Sequence, residues 1–136
     1  MEITVSQQKG KGPVTVIQPH GDVDASNYTE LVKKAEALHK DGARDFLIDL
    51  SDVAYMSSAG LVALHSIAIA LRGEKPTDPQ SGWAALKAMD RSRDRGMQAH
   101  VKLLRPQQYV AETFDKAGFT QFFEIFSDLD KAVASF

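Results

Sequence analysis

Apolar residues along the chain alternate between two periods, one suited to strands and one to helices. Short apolar runs at Thr4–Val5 and Val14–Gln18 predict two strands. Lys9-Gly10-Lys11-Gly12-Pro13 lies between them and supplies hairpin-type turn residues. Gln18–Asn27 (QPHGDVDASN) then breaks the strand pattern. Leu31, Ala35 and Leu38 recur at helical spacing, so a helix is expected, capped by Ser26 or Asn27 and ended by Asp41-Gly42. Asp45–Leu50 (DFLIDL) is a short apolar run bounded by polar residues, which predicts a buried central strand. Gly60–Leu71 (GLVALHSIAIAL) is apolar nearly all round and predicts a largely buried helix.

Beyond that helix, Gly73–Gly82 reads as a loop, with two prolines and two glycines. Trp83–Met89 reads as a short helix, with Asp90–Gly96 as its polar end. Ala99–Leu104 has strand character. Pro106 is expected to open a helix, because proline is tolerated in the first turn. Val110, Phe114 and Ala117 give that helix an apolar face, and Gly118 stops it. Phe122–Phe126 predicts a last short strand, and Asp128 caps a final helix, Leu129–Phe136. The order β-β-α-β-α-(insert)-β-α-β-α predicts one α/β domain, residues 1–136. Its sheet should have substantial parallel pairing and a covering of helices.

Composition narrows the function. A length of 136 residues with 43% hydrophobic content suits a single core. A net charge of −2 argues against a nucleic-acid binder, which usually carries a basic stripe. Arg91, Arg93 and Arg95 are interrupted by Ser92 and Asp94 and read as a solvated helix end. No apolar run approaches the roughly 20 residues that cross a bilayer, and the first residues lack a signal-peptide core. A cytoplasmic protein without direct membrane insertion is therefore expected. There is no cysteine, hence no thiolate chemistry. His20, His39, His65 and His100 are scattered, so no metal site is expected.

The chemistry concentrates at Asp52–Leu64 (DVAYMSSAGLVAL), where a strand segment gives way to a helix. Ser57 suits a helix N-cap, worth about 0.5–2 kcal/mol against alanine. A hydrolase elbow needs Gly-x-Ser-x-Gly, and the first glycine is missing before either serine. A phosphoryl acceptor is the third reading, because a helix N-terminus tolerates a phosphate dianion. Ser58, one step inside the helix, suits that role. An anion or nucleotide held by Asp24, Ser57 and Ser58 is a weaker option, because no P-loop pattern is present. Local physics leaves the cap and the acceptor both open.

FLIDLSDVAYMSSAGLVAL resembles the signature of STAS domains, found in sulphate transporters and anti-sigma factor antagonists. Asp49, Asp52, Tyr55, Met56, Ser58, Gly60 and Leu61 match its pattern. Gly21–Asn27 (GDVDASN) is similar to the family's first loop, with Asp24 at the acidic position. The segment from Pro106 to Phe136 resembles its C-terminal helices. The resemblance implies the STAS fold, a mixed sheet of about four to five strands with helices mainly on one face. It implies an insertion at about 73–98, where Trp83, Leu86 and Met89 either pack as a short helix on the domain or form a partner or dimer surface. It implies a non-enzymatic switch with no cofactor and no catalytic residues of its own. The partners would be an anti-sigma factor Ser/Thr kinase of histidine-kinase-like ATPase fold and a phosphatase. Ser58 would be the phosphorylated residue, with Ser57 the alternative. Asp24, Ser26, Asn27, Met56, Ser57, Ser58, Gly60 and Leu61 would form the partner-binding set. Two positions depart from the family pattern: Ser57 replaces an Asp, and Ala59 replaces a Ser or Thr. The rival within the same fold is a constitutive scaffold subunit of a signalling or membrane-transport assembly, not regulated by phosphate.

Overall fold

The hairpin predicted at the start of the chain is longer than its apolar runs. In the computed structural model, which describes residues 1–71 and 98–136, β1 spans Glu2–Lys9 and β2 spans Pro13–His20. They pair antiparallel along their whole length. The apolar pattern caught only Thr4–Val5 of β1. Half of this strand faces water at the rim of the sheet, so most of its side chains are polar.

The remaining elements are α1 (Tyr28–Lys40), β3 (Phe46–Asp49), α2 (Ser58–Leu71), β4 (Val101–Leu104), α3 (Gln108–Ala117), a 3-10 turn (Phe119–Gln121), β5 (Ile125–Phe126) and α4 (Leu129–Ala134). The sheet has five strands in the order β1-β2-β3-β4-β5. β2, β3, β4 and β5 run parallel to one another. Every residue of β3 and β4 is buried, as expected of central parallel strands covered on both faces.

The larger core lies on one face of the sheet. Ile17, Phe46, Ile48, Val101 and Leu103 meet Leu31 of α1, Leu64 and Ile67 of α2, and Val110 and Phe114 of α3. The α2 residues from Gly60 to Ile69 are all buried, which explains the absence of a polar stripe. The smaller core lies on the other face, where Ala132 and Val133 of α4 cover Val14, Val16, Leu47 and Leu104. The helices therefore sit mainly on one face, as the STAS resemblance implies. Among the described residues, no helix is long and apolar enough to cross a membrane.

Some boundaries move. Pro106 lies outside α3, whose N-cap is Gln107 in extended conformation. A residue that precedes the cap satisfies proline's fixed φ without costing the helix a donor. Phe122 and Phe123 are not in β5. They follow the 3-10 turn and pack inward among Phe114, Phe119 and His65. Gly118 does end α3, at φ +77°, and Asp128 does cap α4 through the N–H groups of Asp130 and Lys131. α4 ends at Ala134. The expected loop at Gly73–Gly82, the helix at Trp83–Met89 and the basic end at Arg91–Arg95 lie outside the described residues.

Candidate functional site

Two loops meet at the carboxyl ends of β2 and β3. Gly21, at φ +93°, turns the chain out of β2, a backbone conformation that side chains disfavour. Its N–H donates to Asp52 O at 3.0 Å. Val23 N–H donates to Tyr55 O at 3.1 Å, and Ser57 N–H donates to Val23 O at 2.9 Å. Val23 and Met56 thus form a short parallel bridge that zips the two loops together. Both side chains are buried beneath it.

Gly60 completes the junction. A Cβ there would stand 2.4 Å from Met56 Cγ and 3.1 Å from Val23 O. Only glycine lets the first turn of α2 descend onto the bridge. Leu61 is buried beside it, and its N–H opens the helical ladder by donating to Ser57 O at 3.1 Å.

The first loop is locked by its own side chains. Asp24 Oδ1 accepts from the Ser26 N–H at 2.9 Å and from the Ser26 hydroxyl at 2.5 Å. The Ser26 hydroxyl, then its amide, hold the Asp24 carboxyl below the usual carboxylate range. Asn27 Oδ1 accepts from Asp24 N–H at 3.0 Å, and its amide donates to Asp22 O at 2.8 Å. Neither Ser26 nor Asn27 caps α1 with its side chain, contrary to the sequence expectation. Asn27 occupies the cap position, but its side chain is spent closing the loop.

The second loop is tied to the sheet. Asp49 accepts from Ser51 N–H and pairs with Arg105 at 2.9 Å. Gln18 donates to the Ser51 hydroxyl, and Gln107 donates to Ser51 O. His20 Nδ1 stands 2.5 Å from Asp52. These contacts leave little freedom for the serines that follow.

The two serines face different surroundings. Ser57 is half-buried, and its Oγ is buried without a hydrogen-bond partner among the described residues. The expected side-chain cap is therefore not formed. Ser57 N–H is committed to Val23 O, and that bond sets how the chain enters the helix. Ser58 is exposed at the first helical position. Its hydroxyl is open to solvent at a helix end that favours anions.

Of the residues expected to bind a partner, Asp24, Ser26, Asn27, Ser57 and Ser58 come together at this end. Met56, Gly60 and Leu61 are buried and shape the site from below. Pattern reading missed Tyr109. It stands at the start of α3 with its ring 5.8 Å from that of Tyr55. The two are 55% and 42% exposed, the large hydrophobic side chains left in the open among the described residues. An aromatic beside, rather than on, the Val110–Phe114 face was the available signal.

A mixed sheet with helices mainly on one face, and two zipped loops at the carboxyl ends of its strands, defines an α/β domain of the STAS class. The family described as "Mlab, STAS domain" matches residues 6–77, just over half of the chain, and the chain belongs to that family. Solved structures show the same fold. An anti-sigma factor antagonist from Mycobacterium paratuberculosis is 19% identical, with a TM-score of 0.65 over 98% of this chain and 93% of that one. A candidate anti-sigma factor antagonist from Thermotoga maritima is 15% identical, with a TM-score of 0.64 over 88% and 83%. The Bacillus cell fate determinant SpoIIAA in its phosphorylated form is 13% identical, with a TM-score of 0.54 over 97% and 96%. No curated protein matches the chain.

Proposed function

We propose that this chain is an anti-sigma factor antagonist, a non-enzymatic cytoplasmic switch regulated by phosphorylation of Ser58. Unmodified, it binds an anti-sigma factor Ser/Thr kinase of histidine-kinase-like ATPase fold and so frees a sigma factor to direct transcription. The kinase transfers phosphate to Ser58 and the complex separates. A phosphatase resets it. The observation that carries this reading is the exposed Ser58 at the first position of α2, just after the Val23–Met56 bridge that joins the two loops. The relation between SpoIIAA, solved in both phosphorylated and unphosphorylated forms, and this fold supports it.

The physics of the switch is local. The helix N-terminus accommodates the phosphate, so the domain stays folded. The added charge of about −1.5 to −2 lies at an end already carrying Asp22, Asp24 and Asp52. A partner seated on Ser58 meets a new bulk and a new dianion at once. The kinase supplies ATP, magnesium and the base.

One observation favours the constitutive scaffold instead. Ser57 stands where the family pattern has Asp, and its hydroxyl turns inward, so no carboxylate flanks Ser58 at that position. Intact-mass measurement after incubation with the candidate anti-sigma kinase separates the two readings. One added phosphate, lost in Ser58→Ala and kept in Ser57→Ala, is the expected result. No phosphate on wild type, with a kinase active on another substrate, favours the scaffold.

A further inference from the structure

The sheet ends differently on its two sides. β5 offers two residues, Ile125 and Phe126. β1 offers eight, and among the described residues nothing pairs with its outer edge. A free edge carries a row of N–H and C=O groups that template another strand. Soluble proteins blunt such edges with bulges, prolines, charges or short length. The β1–β2 register runs unbroken from Glu2↔His20 to Lys9↔Pro13, so no bulge twists the edge away. β1 contains no proline, and its two charged side chains, Glu2 and Lys9, stand at its ends. Its centre, from Ile3 to Gln8, is uncharged.

We propose that β1 pairs antiparallel with β1 of a second copy of this chain, about a two-fold axis at Val5, joining two five-stranded sheets into one. The strand is self-complementary in that register. Val5 meets itself, and two half-buried valines cover each other. Thr4 falls opposite the partner's Ser6, so exposed hydroxyls face hydroxyls on both sides of the axis. Paired positions share parity, so each side chain meets one on the same face of the sheet. Ile3 falls opposite the partner's Gln7, Glu2 opposite Gln8 and Lys9 opposite Met1, so no like-charged side chains face each other. Parallel approach would stack like charges, which is unfavourable. Such an isologous contact closes on itself and stops at a dimer. It does not use Ser58 and stands whether or not Ser58 is phosphorylated.

Light scattering coupled to size exclusion tests this with three proteins. Wild type should have twice the chain mass of 14.9 kDa. Thr4→Glu/Ser6→Glu sets carboxylates opposite each other on both sides of the axis and should give a monomer. Thr4→Lys/Ser6→Glu sets unlike charges opposite each other and should restore the dimer. Thr4 and Ser6 are exposed, and both variants lose the same Thr4–His20 hydrogen bond. Both should keep the circular dichroism of wild type. A monomeric wild type overturns the proposal. So does a dimer that survives the double Glu variant, or one that the charge-swapped variant fails to restore.

Discussion

A methyl group at residue 60 has nowhere to go, because Met56 Cγ and Val23 O already occupy its position. Gly60→Ala must push the first turn of α2 away from the Val23–Met56 bridge. Overpacking of this kind costs about 1–3 kcal/mol. Urea unfolding should show that loss, and an unchanged midpoint would mean that the bridge yields freely. The motif containing Gly60 and Ser58 was legible in the sequence because its residues are contiguous. The fate of the Ser57 hydroxyl was not. Local chemistry left a helix cap and a phosphoryl acceptor both open; the Val23 carbonyl, more than thirty residues earlier in the chain, claims the Ser57 N–H, and the hydroxyl is buried without a hydrogen-bond partner among the described residues. The same holds for Asn27, whose side chain closes its own loop through Asp22 and Asp24.

Elements with a clear apolar period were read correctly, and those without one were shortened or misplaced. The buried helix α2 carries a long apolar signature, and the central strands β3 and β4 carry short ones bounded by polar residues. β1 carries a weak one, because most of its side chains meet water and, among the described residues, nothing pairs with its outer edge. The aromatic run Phe122–Phe126 suits a strand or a buried turn equally, and contact with Phe119 and Phe114 decides it. α4 illustrates how a six-residue helix is retained. Lys102, buried in β4, donates from Nζ to Ser135 O and Oγ, both at 2.9 Å. Its ammonium also lies 3.6 Å from Glu124 and 4.7 Å from the Phe136 ring centroid. Lys102→Met keeps the apolar stem and removes these contacts. Hydrogen bonds from charged groups are worth about 1.5–3 kcal/mol, and the exposure of Ser135 places the loss at the lower end. Amide exchange should quicken in α4 while β3 stays protected. Equal protection of α4 in both proteins would show that Ala132 and Val133 suffice.

At the scale of the whole molecule, the buried layers and the exposed loop end occupy different parts of the fold. The helices α1, α2 and α3 bury one face of the sheet, and α4 covers part of the other. The carboxyl ends of the strands are left to two interlocked loops. The sequence order of strands and helices indicated a largely parallel sheet covered by helices, and the STAS resemblance added the mixed sheet with its helices mainly on one face. The pairing of Tyr55 with Tyr109 was not visible, because it joins residues brought together only by β3 and β4 lying side by side. On this account a single charge change at Ser58 alters binding without disturbing the core. The most direct test is the affinity of the protein for its candidate anti-sigma kinase, measured before and after stoichiometric phosphorylation. Phosphorylation should weaken binding by about 10–100-fold, the ordinary range of such couplings, with thermal stability retained. Equal binding by both forms would contradict the switch and assign the surface to a permanent assembly.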